Sequence, residues 1–277
     1  MAPAPTGNPR LRVLRAVEDG WTAFSRAPWP FVLFTLLYVA LSIPFQLISD
    51  PEKPPVALLP PGQQLVLVGV GLLGSLLVNL WGTAGLIRGA WIAAEGGSPR
   101  FADFRRWDGG ASLRLLLHWL LLAGAALLFA LVCLLPPAAL AALAVRAWGG
   151  IGAVPEAVVV AGRVAIVILL LLALTALAYA AFSQSFLNWL ALLGERKLRA
   201  NFLEGARIVT LNLWQVGLLG LIQAGIWILG FLLCCVGLVA AWPLGICIST
   251  TAYRQLFGNQ ARADFVGPAP SPDPVSG

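Results

Sequence analysis

The sequence contains little charge of either sign. Only 11% of its 277 residues are charged, whereas 59% are hydrophobic and the mean hydropathy is +0.86. A soluble globular chain carries about 25% charged residues. So few charged side chains do not suffice to cover the surface of a water-soluble protein, and most of the apolar surface must face lipid or lie inside a helix bundle. The composition therefore predicts an integral membrane protein.

The residues that most enzymes use are scarce. His118 is the only histidine, and the four cysteines lie in apolar stretches without a C-x-x-C pair. Neither a histidine-based triad nor a shared metal site is expected from this set. The sequence also lacks a G-x-S-x-G, a Walker loop and an H-E-x-x-H motif. We therefore expect no catalytic residue, no metal site and no cofactor, and we predict that the protein is not an enzyme.

Acidic residues are missing from the apolar stretches, because all twelve Asp and Glu residues lie outside them. Proton-coupled carriers usually place an ionisable group within the membrane, so this class is disfavoured. The net charge is +6, but no basic run carries a recognisable nucleic-acid fold. The cations are instead predicted to set the membrane topology, and no nucleic-acid partner is expected.

Five apolar stretches are long enough to cross a bilayer, which takes about 20 residues. They run over 31–48, 65–87, 115–135, 164–182 and 211–253. The last would extend about 64 Å as one helix, so it is predicted to form two spans that turn near 230–237. The third is expected to end at Pro136 and Pro137, and Pro243 is expected to kink the final helix. The predicted fold is an all-α integral membrane protein with six transmembrane helices arranged as three hairpins.

Positive charge is distributed unevenly between the two sides that six spans define. Fifteen Lys and Arg residues lie on the side of both termini, and three lie on the other. Since Lys and Arg collect on the cytoplasmic side, both termini are predicted to be cytoplasmic, and a bacterial inner membrane is the expected location. Residues 10–257 are predicted to form the membrane domain, whereas residues 1–9 and the proline-rich tail 258–277 are expected to be disordered. Arg88, next to the second span, is expected to extend its guanidinium to the interface.

Each hairpin is preceded by a short amphipathic stretch in which aromatic residues recur at helical spacing beside Arg or Lys. We expect a short cytoplasmic helix in each stretch, which either lies in the headgroup plane or packs against the floor of the bundle. The residues expected to contact lipid are Arg15, Trp21, Phe24, Phe101, Phe104, Arg105, Arg106, Trp107, Lys197 and Phe202. The expected partners are the bilayer with its anionic headgroups, and a membrane protein or a second copy of the chain.

Uncharged polar residues in or near the spans are Asn79, Gln184, Asn188, Gln215 and Gln223, and the last four are the candidates for a polar cavity. Gln184 and Asn188 are four positions apart, so they are predicted to share a helix face. These residues either line a polar cavity near the cytoplasmic end of the fourth span or form hydrogen bonds between helices. We favour the second interpretation, because such bonds stabilise membrane helices by about 0.6 to 2 kcal/mol each.

Three segments carry a family resemblance. They are GGSPRFADFRRW at 96–107, the Glu-Gly-Ala-Arg run at 204–207 that leads to Asn-Leu-Trp at 212–214, and the stretch 228–258 with a cysteine pair, a proline and an Ala-Tyr-Arg ending. Together they resemble a loose group of bacterial six-span membrane families of unknown function, which includes the membrane domain attached to some glycerophosphodiester phosphodiesterases. The resemblance implies a six-helix membrane protein and supplies no catalytic residue. The chain has no room for a phosphodiesterase barrel, which takes about 250 residues.

The function predicted from the sequence is that of a non-enzymatic multi-pass membrane protein. It would organise or maintain the membrane, or act as an accessory subunit of a membrane complex. The alternative is a carrier or permease subunit for a lipid-like or small amphipathic substrate, entered beside Gln184 and Asn188 and gated at Pro243. A membrane-embedded polar cavity would favour the carrier, and a dry bundle would favour the first function. A phosphodiesterase-type enzyme is a distant third.

Overall fold

The structure is a computed structural model that describes residues 10–54, 56–150, 155–194, 198–233, 236–259 and 262–266. These described residues are 85% helical and contain no strand, which confirms the all-α fold. Five helices are long and apolar enough to cross a membrane. The chain is thus a multi-pass membrane protein by the length and composition of its helices.

The described residues form eleven α-helices and one turn of 3₁₀-helix at Val56–Leu58. In chain order the α-helices are α1 (Val13–Arg26), α2 (Pro28–Ile48), α3 (Pro61–Ala94), α4 (Phe101–Arg105), α5 (Gly109–Ala147), α6 (Glu156–Ser183), α7 (Leu187–Leu193), α8 (Leu198–Leu211), α9 (Leu213–Leu232), α10 (Val236–Phe257) and α11 (Ala263–Val266). The five membrane-capable helices are α2, α3, α5, α6 and α9. The short helices α1, α4 and α8 lie in the three amphipathic stretches.

Prolines and glycines mark several helix ends. Pro28 and Pro61 occupy the first turns of α2 and α3, where the missing N–H of proline has no helical partner to lose. After α3, Gly96 has a φ of 101°, and its N–H donates to the carbonyl of Ala93. This left-handed conformation favours glycine and stops the helix.

The long uncharged stretch near the C-terminus forms two helices, α9 and α10, as predicted. The expectation that a helix ends at Pro136 and Pro137 is wrong, because α5 continues through both prolines to Ala147. Two prolines remove only two backbone donors, and the alanine- and leucine-rich residues that follow favour continuation of the helix. Pro243 lies inside α10, and the kink expected there stays a prediction.

The packed core is concentrated at one end of the helices. There α1, α4 and α7 meet the first turns of α2, α5 and α9, the last turns of α3, and the second half of α10. Toward the other end large apolar side chains are exposed, and no residue is buried in the most apolar continuous 18-residue stretch of α6. Exposed apolar surface of this extent is unstable in water. These helical segments are therefore the ones that face lipid.

Helix α4 is held in the core by an aromatic cluster. The ring of Phe104 lies 4.9 Å from that of Phe31 and 5.3 Å from that of Phe34, measured between centroids. It sits over two glycines of α3, since a Cβ atom at Gly85 would lie 2.4 Å from the carbonyl oxygen of Phe104 and one at Gly89 would lie 2.1 Å from its ring. The two glycines of this G-x-x-x-G pair therefore leave the space that the Phe104 side chain occupies.

Helix α1 packs tightly on α10 through small residues. Ala16, Gly20 and Ala23 are buried on one face, and a Cβ atom at Gly20 would lie only 2.6 Å from the Cα of Ile248. The hydroxyl of Thr251 donates to the carbonyl of Ala16 at 2.7 Å and joins the two helices. Helix α1 therefore packs against the bundle. This is the second of the two arrangements that we considered for the amphipathic stretches.

The region after α10 contains a folded segment. Residues 263–266 form α11, and Phe265 is fully buried against the core. The disorder expected from residue 258 onward stays a prediction, and within that stretch the helix at residues 263–266 is stabilised by burial of the Phe265 ring. Residues 1–9 and 267–277 lie outside the described residues.

Candidate functional site

The residues expected to contact lipid fall into three groups. Phe24 and Phe104 are buried, so the expectation of lipid contact is wrong for these two residues. Each ring packs on that of Phe31, within the aromatic cluster at the end of the bundle. Phe101 and Phe202 are half-buried. The exposed residues, for which lipid contact stays a prediction, are Arg15, Trp21, Arg105, Arg106 and Trp107. Lys197 lies outside the described residues.

The predicted shared helix face of Gln184 and Asn188 is wrong. Helix α6 ends at Ser183, and Gln184 lies in a turn whose carbonyl accepts a bond from the N–H of Leu187 at the start of α7. Asn188 is instead engaged with another helix, because its Oδ1 accepts a hydrogen bond from the indole N–H of Trp119 at 2.9 Å. A four-residue spacing places two side chains together only where the helix is continuous.

Gln223 also connects two helices. Its amide donates to the hydroxyl of Ser249 at 2.8 Å and to the carbonyl of Gly245 at 3.2 Å, which links α9 to α10. Gln215 is half-buried near the start of α9. The bonds of Asn188 and Gln223 are hydrogen bonds between helices, which was the favoured interpretation of these polar residues.

A cavity of about 540 Å³ opens at the core end of the bundle, between α1 and the last turns of α10. We call it the arginine cleft. Its lining comes from the segment before α1, from α1 itself, from the end of α3, and from α10 with the turn after it. The lining residues are Arg10, Arg12, Arg15, Asp19, Thr22, Arg26, Ala94, Thr251, Arg254, Gln255 and Asn259.

Hydrogen bonds from backbone N–H groups to amide side chains hold the two walls of the arginine cleft together. The N–H of Arg12 donates to Oε1 of Gln255 at 2.9 Å, across 243 positions of sequence. The N–H of Leu11 donates to Oδ1 of Asn212 at 3.2 Å and fixes the segment before α1 against the start of α9. The close approach of α1 and α10 at Gly20 completes this arrangement. Arginines from both ends of the chain therefore line one cavity.

The cleft carries a large excess of positive charge. Five arginines line it against a single carboxylate, Asp19, an excess of four charges. Asp19 is a weak partner for Arg15, since the closest N–O distance is 3.8 Å and both side chains are more than half exposed. Neither Arg10 nor Arg12 forms an ion pair within the described part of the chain. An anion in this cavity would therefore meet cationic groups that the protein itself does not neutralise.

Two further arginines are hydrogen-bonded to neutral groups, and the carboxylates of Glu95 and Asp19 also act on one of them, Arg254, through their charge. Arg254 lies over the ring of Trp91, 5.2 Å from its centroid, and its Nε donates to Oδ1 of Asn259 at 3.0 Å. Arg26 donates through Nη1 to the carbonyl of Ala93. Neither contact neutralises the guanidinium charge. The amide nitrogen of Gln255 is also buried without a hydrogen-bond partner in the described part of the chain, so it is a further donor at the cleft wall.

This geometry suits the recognition of oxyanions. Guanidinium groups bind phosphate and carboxylate oxygens through two parallel N–H bonds, and several of them converge here. The described lining contains no histidine, cysteine or serine. No group of three or more His, Cys, Asp and Glu residues that could hold a metal ion occurs in the described residues either. The cleft offers charge and hydrogen bonds to a ligand.

No model of a known protein family matches the chain, and no curated protein and no solved structure is significantly similar to it. The resemblance to bacterial six-span membrane families therefore stays a prediction.

Sequence reasoning missed the cleft although it used the same arginines. Arg10, Arg12, Arg26 and Arg254 were assigned only to membrane orientation, and Arg15 to orientation and to contact with lipid headgroups. The available signal was the density of arginines before the first span together with one at the end of the last helix. That signal is weak, because the positive-inside rule produces the same pattern without any cavity.

Proposed function

We propose that the chain is a non-enzymatic multi-pass protein of a bacterial inner membrane that binds phosphate-bearing anionic headgroups in the arginine cleft. In this role it would organise the membrane or serve as an accessory subunit of a membrane complex. The observation that carries the proposal is the cavity of about 540 Å³ lined by five arginines and one aspartate. The anionic lipids of a cytoplasmic leaflet attract basic groups with about 1 kcal/mol per Lys or Arg near the surface.

The position of the cleft supports a lipid ligand. Trp21 of α1 and Trp29 at the start of α2 are both more than half exposed beside the arginine-bearing helix. Tryptophan is enriched at the membrane–water interface, where its ring sits at headgroup depth. Exposed tryptophans and converging arginines at the same end of the bundle fit a site that meets the headgroup layer.

We further propose six spans as three hairpins, each preceded by a short amphipathic helix, with α10 as the sixth span. Helix α10 has 22 residues and its first charge is Arg254 in the last turn. An even number of crossings is supported by the bond between Arg12 and Gln255, because the two ends of the helical domain can meet only on one side of the membrane. The charge asymmetry makes that side cytoplasmic.

The topology is tested with reporter fusions after Gly62 and after Gly277. We expect an external signal at Gly62 and a cytoplasmic one at Gly277, because six crossings return the chain to the side where it began. An external signal at Gly277 would mean five crossings and would contradict the six-span arrangement. A cytoplasmic signal at Gly62 would contradict the orientation itself.

The ligand is tested with the double variant Arg10→Gln/Arg12→Gln. Both side chains are exposed and lie before α1, so their loss leaves the packing of the bundle intact. The removal of two basic contacts of about 1 kcal/mol each should weaken binding of phosphatidylglycerol roughly 30-fold. Binding is measured by native mass spectrometry of the full chain during titration with phosphatidylglycerol, with phosphatidylcholine as the neutral lipid.

The matched control is Arg199→Gln/Arg207→Gln, which removes the same charge from two exposed positions of α8. It should leave phosphatidylglycerol binding unchanged. An equal loss in both double variants would show general electrostatics and contradict a specific cleft. Inorganic phosphate is titrated in a separate arm: phosphate binding that the Arg10/Arg12 variant abolishes would assign the site to free phosphate, and lack of phosphate binding assigns it to the lipid headgroup.

A further inference from the structure

The C-terminal segment of the described chain folds back onto the bundle at a second basic site. After α10 ends, Gly258 adopts a φ of 94°, and residues 262–266 then lie against α3. Phe265 is fully buried among core residues. We call the site that receives this segment the tail slot, and the cationic residues that line it are Arg88 of α3, Arg106 after α4 and Arg114 of α5.

Arg88 forms the floor of the tail slot. Its side chain is only 1% exposed, so the expectation that it reaches the interface is wrong. Its Nε donates to the carbonyl of Phe265 at 2.8 Å, and its guanidinium carbon lies 4.5 Å from the centroid of the Phe265 ring. Its Nη1 donates to the carbonyls of Arg106 at 2.8 Å and Asp103 at 3.3 Å. The buried charge is thus held by carbonyls and by an aromatic face.

Asp264 supplies the acidic contact. Its Oδ2 lies 3.7 Å from Nη1 of Arg114, and its carbonyl oxygen accepts a bond from Nη2 of Arg106 at 3.5 Å. Arg262 also holds this carboxylate, with Nε 3.1 Å from Oδ1. The hydrogen bond from Arg262 and the charge of Arg114 lower the pKa of Asp264, so the carboxylate is charged at neutral pH. Arg262, which belongs to the segment itself, is the main partner of this half-exposed carboxylate, and Arg114 adds a longer and weaker contact. The slot therefore offers a buried place for the aromatic ring and positive charge beside it.

The segment behaves as a ligand of the slot. A helix of four residues has no stability of its own, because helix nucleation is unfavourable and short helices are marginal in water. Its order must come from the contacts of Asp264 and Phe265 with the slot. Three donor atoms of the slot, Nη2 of Arg88 and both Nε and Nη2 of Arg114, are buried without hydrogen-bond partners among the described residues. The slot thus carries positive charge and still has hydrogen-bond donors that no described residue accepts from.

We propose that the tail slot is a peptide-binding site that recognises an acidic residue followed by phenylalanine, filled in this structure by the chain's own Asp264 and Phe265. The ligand class is an acidic–aromatic peptide. This proposal is independent of the arginine cleft, which is lined by different residues. A peptide that carries the same pair is expected to enter the slot when the chain's own segment is absent.

The test uses the chain truncated after Asn259 and a fluorescent peptide that matches residues 260–270. Saturable binding is expected by fluorescence anisotropy in detergent, because the truncated chain keeps Arg88, Arg106 and Arg114. The Phe265→Ala peptide should bind about tenfold more weakly or worse, since burial of the ring is lost. The full-length chain should bind little peptide, because its slot is filled. A peptide of the same composition in scrambled order is the control.

Equal binding of the native and Phe265→Ala peptides to a truncated chain with native helical content would overturn the proposal. So would equal binding of the native peptide to the full-length and truncated chains. The Phe265→Ala variant of the full-length chain covers the case in which truncation prevents folding: it should bind the native peptide more tightly than the unmodified chain does. If the Phe265→Ala chain binds the peptide no more tightly, or if neither variant folds, the segment is an inseparable part of the fold. The proposal is then wrong.

Discussion

Replacing Arg88 with leucine is expected to lower the free energy of unfolding by about 2–4 kcal/mol, since each buried carbonyl left without a donor costs about 1–3 kcal/mol. The substitution removes the donors to the carbonyls of Phe265, Arg106 and Asp103, while leucine fills part of the space. Relief of the buried charge offsets part of this loss, so the effect is smaller than a sum over the bonds. Chemical unfolding in detergent, followed by circular dichroism, measures it.

Arg207→Leu is the matched control, because Arg207 is exposed on α8 and its replacement should change stability by less than about 0.5 kcal/mol. Arg88→Lys separates charge from geometry. Lysine keeps the charge but lacks the planar fork that reaches several carbonyls at once, so it should fall between arginine and leucine. If the leucine variants at 88 and 207 unfold alike, the hydrogen bonds of Arg88 do not support the fold.

Replacing Gly20 with alanine is expected to cost about 1–3 kcal/mol, the range for overpacked sites. The added Cβ atom would lie 2.6 Å from the Cα and 2.8 Å from the backbone nitrogen of Ile248, and backbone atoms cannot move aside as a side chain can. Helix α1 would have to separate from α10. Because α1 and α10 carry the two walls of the arginine cleft, the same variant should also weaken phosphatidylglycerol binding.

Gly225→Ala is the control for this substitution. Gly225 lies within α9, where a Cβ atom would meet nothing within 4 Å. Alanine there should leave the protein unchanged or stabilise it by roughly 0.5–1 kcal/mol, because glycine is less favourable than alanine inside a helix. Unfolding curves of Gly20→Ala and Gly225→Ala that coincide would contradict the tight approach of α1 and α10.

The substitutions at Arg88 and Gly20 lie at the same end of the molecule. The side-chain packing is concentrated there for a physical reason. The helices bury their side chains against one another at the end that holds α1, α4, α7 and α11, while α6 and most of α5 are exposed. In a membrane the exposed segments are covered by lipid tails, which are as apolar as leucine, so they need few protein contacts. At the polar end water competes for backbone groups, and there the short helices have to be packed and bonded in place.

The sequence by itself determined that the chain is helical and embedded in a membrane. Long apolar runs with almost no charge favour membrane-spanning helices, because a helix bonds every backbone N–H and C=O within its own segment. It also located the membrane-capable helices and the division of the 211–253 stretch into α9 and α10. These features depend on local composition and on the thickness of a bilayer, and both can be read without a fold.

Only the tertiary structure decided what covers each face. The periodicity around Phe24 and Phe104 identified an apolar side but did not say whether lipid or protein meets it, since both environments are apolar. Likewise the spacing of Gln184 and Asn188 did not reveal the turn between α6 and α7. The arginine cleft joins Arg12 to Gln255 across 243 positions, and the tail slot joins Arg88 to Phe265 across 177. Contacts between residues so far apart in sequence depend on the path of the whole chain, because no local pattern specifies which distant segment packs against a given residue.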